Sequence, residues 1–190
     1  RMPPAHPFPA ATDDVTAVWK SLLRTRPAKS MALGGSSSGG GLALASTHRF
    51  KALGLETPGA LWAGTPWTDL TKTGDSRFIN EGIDMKLVSY DGLLQGAAKL
   101  YAGGHDLKSP LLSPVYGDFK GFPPTFLATG TRDLFLSDTV RVHRKMRTAG
   151  VIADLNVYEG VSHGDYFVMD TPEFQQASKE LREFLLRHLE

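Results

Sequence analysis

Residues 29–53 read KSMALGGSSSGGGLALASTHRFKAL: a short apolar run, a turn of glycine and serine, then a helical pattern that closes at Gly54. Within the turn, Gly35-Ser36-Ser37-Ser38-Gly39 fits G-x-S-x-G, the pattern of a nucleophile elbow, in which a serine sits on a sharp strand-to-helix turn. The backbone at such a serine is strained. Side chains two positions to either side would collide with it or with the next element, so Gly35 and Gly39 are expected to permit the close approach.

Three serines occupy the turn, and the glycines decide between them. Ser36 lacks Gly at +2 and Ser38 lacks Gly at −2; only Ser37 has both. The turn feeds a helix N-terminus, whose free N–H groups favour developing negative charge, and the backbone N–H of Ser38 is the natural oxyanion donor. The alternative, a flexible Gly/Ser linker, fits poorly between an apolar run and a long helical pattern.

The chain has 190 residues, a length that suits one domain with its own core. Its formal net charge of +1 makes no electrostatic case for nucleic acid or an anionic membrane as partner. The absence of cysteine excludes disulfides, thiolate metal sites and thiol catalysis. No run of about 18 apolar residues occurs, so no membrane-spanning helix is expected. The opening Arg1-Met2-Pro3 shows neither a signal-peptide pattern nor an obvious natural start. A cytoplasmic location is expected ahead of a secreted one.

Outward from the elbow, residues 1–11 hold four prolines and read as an extended connection. A helix follows with Thr12 or Asp13 as N-cap, presenting Val15, Val18, Trp19, Leu22 and Leu23 as one apolar face. Residues 29–34 form the strand into the elbow, and Ala60–Gly64 a second strand. Residues 68–84 are polar and irregular, and helical patterns resume near Met85 and at 93–101. Residues 68–120 are thus expected to be an excursion over the sheet, a cap or pocket wall within one domain spanning 1–190. A third strand covers 125–129, a helix starts near Ser137 and stops at Gly150, and a strand surrounds Leu155 and Val157. The last helix opens on Thr171 as N-cap with Pro172 at its first position. Such alternation predicts an α/β fold, a parallel sheet with helices on both faces.

Sites in such sheets lie beyond the C-terminal strand ends, and Ser37, Asp133 and His163 each fall in a loop of that kind. A serine hydroxyl needs a base, and the base needs an orienting acid. Asp138 and Asp165 rival Asp133, but the first sits in the opening turn of a helix, where a dipole role suits it better. Among the other histidines, His6 lies in the proline-rich lead, His48 and His143 lie within helices, His105 in a glycine turn and His188 near the end. No metal-ligand cluster is apparent from the spacing.

Together these residues resemble the hormone-sensitive-lipase-like branch of the α/β-hydrolases. The lead Pro3-Pro4-Ala5-His6-Pro7-Phe8-Pro9-Ala10-Ala11 resembles the family's segment between its fourth strand and the next helix, and Gly35-Ser36-Ser37-Ser38-Gly39-Gly40 its elbow, usually Gly-Asp-Ser-Ala-Gly-Gly. Pro66-Trp67-Thr68-Asp69-Leu70, Ser109-Pro110-Leu111, Gly130-Thr131-Arg132-Asp133 and His163-Gly164 are similar to later landmarks. The resemblance covers nearly the whole chain. It implies a carboxylic ester hydrolase for small, short-chain acyl esters, without a cofactor, using Ser37, His163 and Asp133. Lactone hydrolysis by the same triad and a non-catalytic, ligand-binding relative are the alternatives it implies. Some relatives pair through the last strand and helix, so a homodimer is admitted.

Two departures stand out. Ser36 and Ser38 replace the usual Asp and Ala. The family's His-Gly-Gly-Gly segment, a source of further oxyanion donors, is absent, and only 34 residues precede Gly35. The chain therefore resembles the C-terminal half to two-thirds of a hydrolase, with its elbow strand left as an exposed sheet edge. A second polypeptide supplying the N-terminal strands and the glycine-rich loop is the expectation that follows. Loss of one oxyanion donor costs about 100–1,000-fold in rate, so poor activity is expected of the chain without that complement.

Overall fold

The computed structural model describes residues 1–165 and 171–190. Four parallel strands stand side by side in chain order: β1 (Ala32–Ser36), β2 (Ala60–Gly64), β3 (Thr125–Gly130) and β4 (Ala153–Tyr158). Their register aligns Gly35, Ala63, Leu127 and Leu155 in one row across the sheet. Every residue of β3 is buried, as expected of an interior parallel strand covered on both faces.

Alternation along the strands sorts the core into two layers. Leu61, Ala63 and Leu127 point to one face, against Leu44 of α2 (Ser38–Ala52) and Val142 and Met146 of α5 (Leu136–Thr148). Ala60, Phe126 and Ala128 point to the other, against Ala177 and Phe184 of α6 (Pro172–His188). Helices thus cover both faces, and the fold is α/β, as the alternation predicts. The first helix, α1 (Ala10–Leu22), packs on α2 through Trp19 and Phe50, stacked at 5.3 Å.

Between β2 and β3 the chain makes a long connection carrying α3 (Ser76–Ile79) and α4 (Leu93–Ala102). Its own core joins Trp67, Leu70, Tyr90 and Leu94 to Leu134 and Phe135, the residues just after the acid loop. At its centre lies a fully buried ion pair, Arg77 Nη2 to Asp138 Oδ2 at 2.9 Å. The guanidinium sits over the Tyr90 and Phe135 rings at 5.1 and 4.7 Å.

Several elements differ from expectation. The elbow strand starts at Ala32 rather than Lys29, because residues Ala28–Ser30 form a 3₁₀ turn after Pro27. The first helix starts at Ala10, and Thr12 lies inside it, donating its hydroxyl to Pro9 O at 2.8 Å. Its buried face runs through Thr12, Thr16 and Trp19, whereas Val18 is 60% exposed. Threonine is tolerated there because each hydroxyl bonds its own helix, Thr16 to Thr12 O at 2.7 Å. The helix expected near Met85 is absent: the Asp84 carboxylate accepts the Lys86 and Leu87 N–H groups at 2.9 and 3.2 Å, and Val88 has φ +60°. The Asx turn wins over the apolar spacing. Thr171 caps α6 as expected, its hydroxyl accepting Phe174 N–H at 3.1 Å.

Candidate active site

Four segments that follow strands meet above the C-terminal edge of the sheet. Ser37, between β1 and α2, has φ +55°, a left-handed backbone on a non-glycine residue. It is held from both sides by the turn after β2: Ser37 N donates to Gly64 O at 2.8 Å, and Trp67 N donates to Ser37 O at 2.9 Å. A Cβ on Gly35 would lie 2.5 Å from the Gly39 backbone, so the glycine at −2 is sterically required. Gly39 is different. A Cβ there would meet nothing within 4 Å, and the space instead runs out at Gly41, whose Cβ would lie 2.1 Å from Trp67 O. The second required glycine is therefore two positions further on than the elbow pattern suggests, because the contact to be cleared is with the 64–67 turn.

His163 Nε2 lies 2.9 Å from Ser37 Oγ, and Nδ1 lies 3.0 Å from Asp133 Oδ1. The imidazole is 10% exposed and Asp133 is fully buried. Asp133 accepts Phe135 N–H at 2.8 Å on Oδ1 and the hydroxyls of Thr129, at 3.0 Å, and Thr65 on Oδ2. An ionised carboxylate only accepts, so Nδ1 carries the ring proton and Nε2 presents its lone pair to the Ser37 hydroxyl. The Phe135 ring meets the imidazole edge-on at 4.9 Å. Acid and histidine loops are tied together directly: Arg132 N donates to Val161 O at 3.1 Å and Gly160 N to Thr131 Oγ1 at 2.8 Å.

The structure thus brings Ser37, Asp133 and His163 together. Ser38 opens α2, so its N–H belongs to the first turn, whose donors lack partners within the helix. The two rival carboxylates are turned elsewhere. Asp138 accepts Thr68 N and Asp69 N, each at 3.0 Å, besides Arg77, and burial pushes its carboxyl up to about 6. Asp165 pairs with Lys86 at 3.2 Å.

Two participants escape sequence reading. Thr65 is fully buried with φ +43°, and its Oγ1 lies 2.9 Å from His163 Nδ1. Its place directly after a strand was its only signal. Asp84 comes from the polar, irregular stretch and carried none; its carboxylate, Asp133 and His163 have donor atoms within 4.8 Å of one another. These are the donor types a cation would need, but their oxygens are already occupied by N–H and hydroxyl groups, and Nδ1 faces Asp133. Beside the elbow lies an apolar cavity of about 360 Å³, lined by Ser38, Gly39, Leu42, Trp67, Leu70 and Tyr101 among others.

Residues 1–167 match the profile of the alpha/beta hydrolase fold family. The chain belongs to that family. It is 33% identical over 151 residues to an acetyl-hydrolase of Streptomyces hygroscopicus, covering 79% of this chain and 50% of that protein. It is 32% identical to an esterase of Acinetobacter venetianus, covering 95% of this chain and 60% of that one. Among solved structures it is similar to an esterase, E25, with 57% identity and a TM-score of 0.98 over all of this chain and 58% of the other. An esterase of the bacterial hormone-sensitive lipase family matches at 33% identity and TM-score 0.95, covering 64% of its chain. The chain therefore spans about half to two-thirds of the length of these hydrolases. In each of them the unmatched portion belongs to the same polypeptide, so the expected separate second polypeptide finds no support. Among the described residues no helix is long and apolar enough to cross a membrane.

Proposed function

We propose that this chain carries the catalytic centre of a serine carboxylic ester hydrolase acting on short-chain acyl esters. The observation that carries the reading is the unbroken relay from Ser37 Oγ through His163 to Asp133, with links of 2.9 and 3.0 Å. His163 Nε2 takes the Ser37 proton as Oγ attacks the ester carbonyl, and the tetrahedral oxyanion is held by the Ser38 N–H at the positive end of α2. Asp133 keeps the imidazole in the required tautomer and stabilises the imidazolium. The proton then passes from Nε2 to the leaving alkoxide, giving an acyl-Ser37 intermediate that water opens by the same steps in reverse.

The apolar cavity beside Ser38 and Gly39 suits an acyl chain, and we read residues 68–120, which supply Leu70 and Tyr101 to it, as its wall. Relatives named esterase and acetyl-hydrolase support the substrate class. The test is hydrolysis of a p-nitrophenyl ester series, acetate to octanoate, with Ser37→Ala and His163→Ala beside the wild type. Turnover of the short esters should fall by about 10⁴-fold or more in either variant. Unchanged turnover in Ser37→Ala would sink the reading.

A further inference from the structure

Asp84 is 1% exposed, and no cation pairs with its carboxylate among the described residues. Its two oxygens reach three segments. Oδ2 accepts the N–H of Leu134, the residue after Asp133, at 2.8 Å. Oδ1 accepts Lys86 and Leu87 N–H and, at 3.5 Å, the N–H of His163 itself. The same stretch is stitched to both loops by other bonds: Met85 N donates to Ser162 Oγ at 3.2 Å, and Asn80 Nδ2 donates to Thr131 O and Asp133 O at 3.1 and 2.9 Å. Among the described residues only backbone N–H groups bond the Asp84 carboxylate, which leaves its charge to be felt by whatever lies beside it, and it lies within 4.8 Å of a His163 ring nitrogen.

The other groups around the imidazole can be named element by element. Asp133 faces it from the β3–α5 loop, Ser37 from the elbow, the neutral Thr65 from the β2 turn and the Phe135 ring from the start of α5. Asp165, on its own loop, is compensated by Lys86, and Arg132 is exposed. Among the described residues, Asp84 is thus the second carboxylate at the ring without a cation partner.

We propose that Asp84 is a positioning residue that locks the acid and histidine loops in register and stabilises, through its negative charge, the imidazolium formed when Ser37 gives up its proton. This rests on the hydrolase reading above. A purely structural staple would hold the loops but leave the ionisation of His163 alone, and that separates the two roles.

The experiment is an NMR titration of the His163 ring, together with pH profiles of kcat/KM, in wild type, Asp84→Asn and Asp84→Ser. Both substitutions remove the charge. Serine also keeps an acceptor for Leu134 N–H should the asparagine variant fail to fold. Loss of a nearby anion disfavours the imidazolium, so the His163 titration and the acid limb of the profile should both move to lower pH, by about one unit. Asn80→Ala, which loosens the same loops without touching charge, should lower kcat with no such movement. A His163 titration unmoved in folded Asp84 variants would overturn the proposal. Because the ring titration needs no turnover, it stands or falls separately from the ester assay of Ser37→Ala.

Discussion

Thr65 Oγ1 lies 2.9 Å from His163 Nδ1, although 98 residues separate them in sequence. The same hydroxyl donates its single proton to Asp133 Oδ2, leaving a lone pair for the ring N–H. The 64–67 turn therefore touches all three residues of the relay, Ser37 through its backbone and the other two through this side chain. The isosteric Thr65→Val keeps the branched shape and removes the hydroxyl. It should lower kcat by about 10–100-fold, the worth of a hydrogen bond to a charged group, with KM little changed. Thr65→Ser should keep most of the activity. Steady-state kinetics on p-nitrophenyl butyrate would decide it, and a Thr65→Val rate within about twofold of wild type would mean the contact is idle.

The glycines of the elbow helix should respond in opposite directions. At Gly41 an added methyl meets the Trp67 carbonyl at 2.1 Å, a backbone atom that cannot step aside without moving the turn that holds Ser37. Gly41→Ala should destabilise the protein by about 2 kcal/mol or more and impair turnover. At Gly39 the space is open, so Gly39→Ala should stabilise the helix by roughly 0.5–1 kcal/mol. Urea unfolding of the two variants checks both signs; equal destabilisation would contradict the geometry.

His48 should make stability fall in mild acid. Its ring is buried against Phe119 and Phe122, with Nε2 3.2 Å from Pro114 O. Burial, with help from nearby Lys51, holds its pKa down to about 4. In the unfolded chain it titrates near 6.5, so between those values the unfolded state binds the extra proton. The stability His48 contributes is complete above about pH 6.5 and is lost as pH falls toward 4, about 3 kcal/mol in all. His48→Gln should unfold more readily at pH 7 but show a shallower loss between pH 6.5 and 4. A slope identical to wild type would refute this.

The Arg77–Asp138 pair should be unforgiving of single changes. Asp138→Asn strands a fully buried guanidinium and should cost about 3–5 kcal/mol, while a second change, Arg77→Met, should recover much of it. Chemical denaturation of the single and double variants tests both statements.

Much of the site was legible because its parts are local patterns. Ser37 is singled out by two glycines, and Asp133 and His163 sit where parallel strands end, so chain order and a turn motif suffice to nominate them. Strand β2 and the capped start of α6 were readable for the same reason: an apolar run between turn residues, and Thr-Pro at a helix start. What could not be read depends on which distant group occupies a space. Apolar periodicity put Val18 in the core, yet Thr12 and Thr16 lie there, because the neighbouring helix meets that side of α1. Met85 belonged to a plausible helix until the Asp84 carboxylate took the local N–H groups. Residue types and spacing thus name the nucleophile, the base and the acid of the proposed relay. Only folding over 68, 79 and 98 residues brings Thr65 and Asp84 to them, since a buried hydroxyl or carboxylate acquires its role from the atoms packed around it.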